Sequence, residues 1–404
     1  MRLIAIGCQT GLPNSGAENP EAVPMFVMAP PGVGKTEGLM HVGDVIARGR
    51  GFKFPVEVIA IPQATPEQIG GLPVPDESKR TTSLYPMSAG KLLIEEGRGI
   101  FFFDELTSGS EQTAAACLTL IQSGRFGDAV LPPSVARIAA GNLPDRAANG
   151  RALTAPESNR FCFIDWPSPM QFADAWIDYM RGGLGMFKGL DNVLLPDNWE
   201  VDNYPRAAGI VTTYIQRHTQ DLHREPDSSD ATKAWPSPRS WRNATRLLAA
   251  CLSLGERETS QLAYAALAGC VGKATAENFH NWLVQQDLMD PEEALAPGNT
   301  WQFTKEDVGR PDRLILTAEA ICFAANRKNH PEFIRRWTRA ADIIDNLNHA
   351  ATVSRCGEIL ATAGVKLSDL GGKLPKFYQK YNKMNQAVNK TEISIRMNGK
   401  PSNA

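Results

Sequence analysis

The apolar positions of the chain change rhythm once, near Pro167. Before it, short apolar runs alternate with segments of helical spacing. "MFVMA" (25–29), "PVEVIAI" (55–61), "GIFFFDEL" (99–106), "ARIAAGN" (136–142) and "RFCFIDW" (160–166) have the length of strands. The third is apolar until its end, as strands covered on both faces are. Between them, Lys35 to Ala47 carries Leu39, Met40, Val42, Val45 and Ile46 at helical spacing, and 111–122 reads as another helix. This alternation predicts an α/β domain with a mostly parallel sheet. Residues 1–24, rich in Gly, Pro and Asn, read as a lead-in. After Pro167 helical periodicity dominates, over 169–181, 206–221, 238–252, 258–270 and 274–287, and again from Glu306 onward. No internal repeat stands out.

Composition narrows the partners. The 404 residues are 43% apolar and 21% charged, with a net charge of −2. That balance suits a globular chain of two to three domains and gives no global attraction to nucleic acid or anionic membrane. The seven cysteines are scattered without C-x-x-C spacing, which fits buried thiols in a reducing compartment better than disulfides or zinc. No apolar run approaches the roughly 18 residues of a membrane helix. "MRLIAIGCQTGLPNSG" meets Gly, Pro and Asn too early for a signal peptide, so a cytoplasmic setting is expected. The six histidines show no metal spacing. The final stretch from Lys373 is basic, with Phe377, Tyr378 and Tyr381 interleaved. A solvated terminal helix is the plainer account of it, and a nucleic-acid contact the alternative.

The chemistry begins at "APPGVGKT" (29–36). It matches the phosphate-loop pattern G-x-x-x-x-G-K-[ST] except that Ala29 holds the first glycine position. In such a loop backbone N–H groups and a helix N-terminus face the anion. The glycines that must approach phosphate, Gly32 and Gly34, are present. The candidate nucleotide contacts are Pro31, Gly32, Val33, Gly34, Lys35, Thr36 and Glu37. Lys35 supplies positive charge to the β- and γ-oxygens, and Thr36 a hydroxyl for Mg²⁺. Ala is the smallest replacement for the first glycine, provided φ stays negative there. A second motif follows: "GIFFFDEL" brings Asp104, for the metal side, and Glu105, for an attacking water, to the carboxyl end of a buried strand. An acidic helix start after a core strand would look the same in isolation.

Together these motifs resemble the AAA+ ATPases, and among them the MoxR-like group, over about Met25 to Gly272. "APPGVGKT" is similar to the Walker A of that group and "FFFDEL" to its Walker B. "RIAAGNLPD" (137–145) resembles the sensor-1 strand, with Asn142 between the two Walker motifs to orient the water. "LTAPESNRFCFIDW" (153–166) is similar to the segment carrying the arginine finger, here Arg160, supplied to a neighbouring subunit. "WPSPRSW" (235–241) resembles the sensor-2 segment, with Arg239 directed in cis at the γ-phosphate. The resemblance implies an α/β P-loop NTPase core with a parallel sheet flanked by helices (25–167), an α-helical lid (168–290), and a mostly helical C-terminal extension (291–404), which matches no family motif. It also implies ATP and Mg²⁺ as cofactors and assembly into a ring, most often a hexamer. The inserts at 65–97 and 123–138 would face a pore or partner, making Lys79, Arg80, Tyr85, Arg125 and Phe126 candidate contacts. The expected activity is ATP-driven remodelling of a protein, with von Willebrand factor A-domain partners suggested by the resemblance. A nucleic-acid-stimulated motor and an ATP-gated scaffold of low turnover are the alternatives.

Overall fold

A computed structural model describes residues 1–14, 21–30, 32–77, 81–85, 90–141, 152–167, 173–183, 185–227, 232–328, 330–365 and 367–370. They form two compact units: Met1–Ala207 with Tyr214–Asn281, and Ala208–Thr213 with the chain from Trp282 on. The helices α8 and α11 below contribute residues to both. Residues 214–281, within the expected lid (168–290), group with the sheet.

The first unit runs α1 (Arg2–Gln9), β1 (Met25–Met28), α2 (Lys35–Arg50), β2 (Val56–Ala60), α3 (Pro66–Gly70), β3 (Leu72–Asp76), β4 (Thr81–Tyr85), α4 (Lys91–Glu96), β5 (Gly99–Asp104), α5 (Glu111–Ser123), β6 (Arg125–Phe126), β7 (Ala129–Val130), β8 (Val135–Gly141), α6 (Ala155–Ser158), β9 (Cys162–Asp165), α7 (Ala173–Met180), α8 (Trp199–Arg217), α9 (Pro238–Ser253), α10 (Gln261–Val271) and α11 (Lys273–Gln286). Five strands form one parallel sheet in the order β2-β5-β8-β1-β9. Each of the five predicted strands is found, within two residues at either end.

The sheet is covered on both faces. On one, Phe26, Phe101, Phe103, Ala139, Phe161 and Phe163 pack with Ala114, Cys117, Leu118 and Ile121 of α5. Offset and edge-on ring pairs knit this layer, with Phe101 and Phe103 centred 4.8 Å apart and Phe26 and Phe161 5.4 Å. Alternation sends Val27, Phe102, Ile138 and Ala140 to the other face, where they are buried with Leu39, Val42 and Ile46 of α2. β8, "VARIAAG", is buried along its whole length.

One expectation is corrected here. The segment read as a lead-in contains a buried helix, α1, with Leu3 to Gln9 all inside. Its eight residues run directly into the Gly, Pro and Asn of the segment, which set the reading there. Gly7 lets it approach β1: a Cβ there would lie 2.5 Å from Met25 Sδ. α8 begins at Trp199, ahead of the expected 206, and carries Pro205 inside; Glu200 and Asp202 in its first turn suit a helix N-terminus.

Both inserts contain hairpins. β3 pairs antiparallel with β4 and β6 with β7. They are joined at one residue: Leu84 N–H donates to Asp128 Oδ2 (2.8 Å), and Asp128 N–H to the Leu84 carbonyl (2.7 Å).

The second unit contains α12 (Pro291–Leu295), α13 (Lys305–Val308), α14 (Pro311–Ala325), α15 (Phe333–Asp345) and α16 (Ala350–Ala361). Leu314, Ile321, Trp337, Ile343 and Leu360 lie in its core. Trp337 Nε1–H donates to the Leu360 carbonyl at 3.0 Å, and Arg336 grips Glu292 with two bonds of 2.7 and 2.9 Å. Among the described residues no helix is long and apolar enough to cross a membrane.

The enclosure of β5 sets a stability expectation. Phe102 is fully buried on the face that α2 covers. Phe102→Ala should cost about 3–5 kcal/mol, read as a lower urea midpoint for the first unit; a midpoint unchanged from wild type would mean the layer collapses around the gap.

Candidate phosphate-binding site

In an open parallel sheet, ligands bind beyond the carboxyl ends of adjacent strands whose outgoing connections leave in opposite directions. Here those strands are β1 and β8. From β1 the chain crosses to β2 at one edge, and from β8 it passes to β9 on the other side. The loop 29–34 leaves β1 at that crevice.

Gly32 and Gly34 both have left-handed backbones, with φ of +75° and +78°, which glycine adopts without a Cβ penalty. A Cβ at either would meet nothing within 4 Å, so the requirement is conformational and the space outside the loop is open. Gly34 is the N-cap of α2, and no side chain caps that end. The first N–H groups of α2 therefore have neither an intrahelical acceptor nor a capping side chain. Lys35 is buried and its Nζ donates to the Pro30 carbonyl at 3.3 Å, which folds the ammonium back over the loop. Thr36 is half-buried behind it. Ala29 is 1% exposed at the strand end, and its N–H points to the Gly141 carbonyl at 3.4 Å. It is not among the residues with positive φ, so alanine stands there without strain. Val33 is half-buried and Glu37 exposed. Pro31 lies outside the described residues.

Asp104 ends β5 and Glu105 follows it, both half-buried. Since β5 and β1 flank β8, the acidic pair and the loop stand on the same edge, separated by two strand spacings, on the order of 10 Å. Asp104 Oδ1 accepts the Glu105 N–H at 3.0 Å. Glu105 itself has φ +55° and ψ +42°, a left-handed backbone that costs a non-glycine residue about 1–2 kcal/mol. Asn142, the residue after β8, lies outside the described residues. A Mg²⁺ ion suits this donor set: it is a hard cation that takes few protein oxygens and keeps several waters, and the Thr36 hydroxyl and Asp104 carboxylate are oxygen donors on this edge.

The arginines stand elsewhere. Arg160 precedes β9, whose first residue, Cys162, donates its N–H to the Pro24 carbonyl before β1 begins. This is the amino edge of the sheet. Asn159 ties the start of α9 to the same place: its Nδ2 donates to the Trp235 carbonyl (3.3 Å), and its Oδ1 accepts from Ser237 Oγ (2.8 Å). Arg239, two residues beyond Ser237, is exposed there. Arg239, expected to reach the chain's own γ-phosphate, thus stands beside Arg160. It stands at the edge opposite the loop, with the length of the strands, roughly 13–23 Å, between the two edges. Arg160 and Arg239 are close enough to repel. Arg160 is held below the usual guanidinium range, first by burial, then by the charge of Arg239, with Glu157 opposing both. Its Nε is buried, with no hydrogen-bond partner among the described residues.

Of the hairpin residues expected to meet a partner, Tyr85 and Arg125 are exposed. Phe126 is not: it is fully buried, edge-on to Phe101 at 5.9 Å. Lys79, Arg80 and the basic stretch from Lys373 lie outside the described residues. The structure adds contacts around the loop that sequence reasoning missed. The Trp166 indole reaches the first turn of α2, where only glycine fits at Gly38, since a Cβ would lie 2.9 Å from the ring. Tyr179 Oη donates to Glu37 Oε1, and Thr107 lies buried beside Gly141. None carries a local signal, because each becomes relevant only through a contact distant in sequence. Among the described residues no cluster of three or more His, Cys, Asp or Glu forms a metal cage.

The architecture is an α/β P-loop type: a five-stranded parallel sheet flanked by helices, with further helical segments toward the C-terminus. No family model and no curated protein matches the chain. Among solved structures, a Cytophaga hutchinsonii protein provisionally named an ATPase is similar at a TM-score of 0.37 and 11% identity, covering 69% of this chain and 78% of that one. A likeness of that size decides nothing, and the class rests on the strand order and the loop.

Because a Cβ at Gly34 would find open space, Gly34→Ala should cost only backbone strain, about 1–2 kcal/mol. Binding of inorganic triphosphate should weaken more than stability does. Calorimetric titration beside a thermal melt checks this, and unchanged triphosphate affinity would remove the loop from the site.

Proposed function

We propose that the chain is an Mg²⁺-dependent ATPase of the AAA+ type, similar to the MoxR-like group, which works as a ring and remodels a protein partner. The observation that carries the reading is the placing of the loop 29–36 and the Asp104–Glu105 pair on one edge of the sheet, either side of β8, at its switch point. Phosphoryl transfer to water needs positioning and charge neutralisation more than covalent chemistry. Backbone N–H groups of the loop and of the first turn of α2 hold the β- and γ-phosphates, and the Lys35 ammonium neutralises them from within the loop. Thr36 and Asp104 hold the Mg²⁺ shell, which adds charge neutralisation on the phosphate oxygens. Glu105 polarises the attacking water and takes up its proton.

Arg160 and Arg239 fit this scheme only if their target belongs to another copy. Both stand at the amino edge, away from the chain's own loop. A pair of adjacent guanidiniums, one with a buried unpaired Nε, suits an anion brought by a neighbour. We therefore assign both to the nucleotide of the adjacent subunit, which makes turnover depend on assembly. A protein partner is favoured over nucleic acid by the joined hairpins, whose Leu72, Leu84, Tyr85 and Val130 are exposed, and by the net charge of −2. A partner with a von Willebrand factor A-domain belongs to the same resemblance, and capture on ATP-loaded Glu105→Gln rings is the way to identify it.

Lys35→Ala should abolish ATP binding, while Glu105→Gln should bind ATP normally and lose about 10²–10⁴-fold in kcat. Phosphate release and fluorescent-nucleotide titration measure both. Wild-type turnover by Lys35→Ala would end the reading, and full activity in Glu105→Gln would remove the base.

Rings doped with Arg160→Ala or Arg239→Ala should lose activity more steeply than the dose, by about 10³-fold when fully substituted. A linear decline would return the arginine to its own subunit.

A further inference from the structure

Thr107 sits in the short turn Leu106–Ser108, two residues after Glu105. It is 5% exposed, and its Oγ1 has no hydrogen-bond partner among the described residues. Its position is fixed by its neighbour. A Cβ built on Gly141, the last residue of β8, would come 2.9 Å from Thr107 Oγ1 and 2.6 Å from Phe26 Cζ. The absent side chain of Gly141 leaves the room that the hydroxyl occupies.

Gly141 is also the acceptor for the phosphate loop. Its carbonyl takes the Ala29 N–H, at 3.4 Å the long end of a hydrogen bond. Thr107, Gly141 and Ala29 thus form a row across the carboxyl ends of β5, β8 and β1, from the acidic pair to the first residue of the loop. Two local costs fall within residues 105–107, at the acidic end of that row: a left-handed Glu105 and a buried hydroxyl with no partner among the described residues. Costs of this kind are held in place by the surrounding structure and cluster at active sites and switch regions, where the strain is part of the mechanism.

We propose that Thr107 is a positioning residue that couples the phosphate loop to Glu105. Its hydroxyl bonds to the backbone at the end of β8 when the loop holds a triphosphate. That bond ties β5 to β8, and through Gly141 to Ala29, so the Glu105 carboxylate is aimed only in a loaded site. Thr107 touches neither phosphate nor water. The inference rests on the ATPase reading and adds the link by which occupancy of the loop governs the base.

The test compares the full-length wild type with Thr107→Val and Thr107→Ser by thermal melt, KM and kcat for ATP. Valine keeps the shape and removes an unpaired hydroxyl, so the melting temperature should hold or rise. KM should stay within about threefold while kcat falls by at least about tenfold, and serine should recover most of the loss. A kcat for Thr107→Val within about twofold of wild type overturns the proposal. So does a serine variant as slow as the valine one, or a melting temperature that falls along with kcat, which marks a packing role. A wild-type chain that does not hydrolyse ATP defeats the ATPase reading instead, and is told apart by the absence of any turnover for Thr107→Val to lose.

Discussion

β8 is hydrogen-bonded on one side to the strand that ends in the phosphate loop and on the other to the strand that ends in Asp104 and Glu105. Everything at the carboxyl edge depends on that placement. It sets the separation of loop and acids at two strand spacings, a span that a triphosphate with its metal can bridge and that side chains alone bridge poorly. The strand can occupy the middle because it is built from small residues. Ala136, Ala139, Ala140 and Gly141 let Phe26, Phe101 and Phe103 close over one face while α1 and α2 come in on the other. A bulky residue at 141 would collide with Phe26 and Thr107 together.

The opposite edge follows from the same parallel order. In a parallel sheet every strand starts on one side and ends on the other, so residues before β9 cannot share an edge with residues after β1. Arg160 falls on the amino edge for that reason, and the Asn159–Ser237 bond holds Arg239 there with it. Two guanidiniums kept in proximity, one partly desolvated, are costly in an isolated chain. In the proposed assembly, negative charge from a neighbouring subunit offsets that cost.

The two hairpins show how local units become one device. Each closes through its own antiparallel pairing, and Asp128 then joins them by bonding to both backbone groups of Leu84. The inserts therefore move together if they move at all, with apolar side chains on their outer surface and Phe126 anchoring the shorter one in the core.

The sequence by itself determined the five strands, the helices at 35–47 and 111–122, the loop and the acidic pair, because each is encoded in neighbouring residues. Apolar runs of strand length read as strands, and Gly-x-Gly-Lys-Thr reads as a turn feeding a helix wherever it stands. It also set the condition for alanine at position 29, a negative φ, which the backbone there meets. What it left open were relations across distance. α1 was hidden because its eight residues run straight into a stretch rich in Gly, Pro and Asn. The cis role for Arg239 came from motif order, which says nothing about which edge of the sheet a residue occupies. Thr107 gave no signal, because an unpaired hydroxyl exists only relative to the strands around it. Only the tertiary structure decided these, since strand order, edge and burial arise when segments far apart in the chain pack against one another.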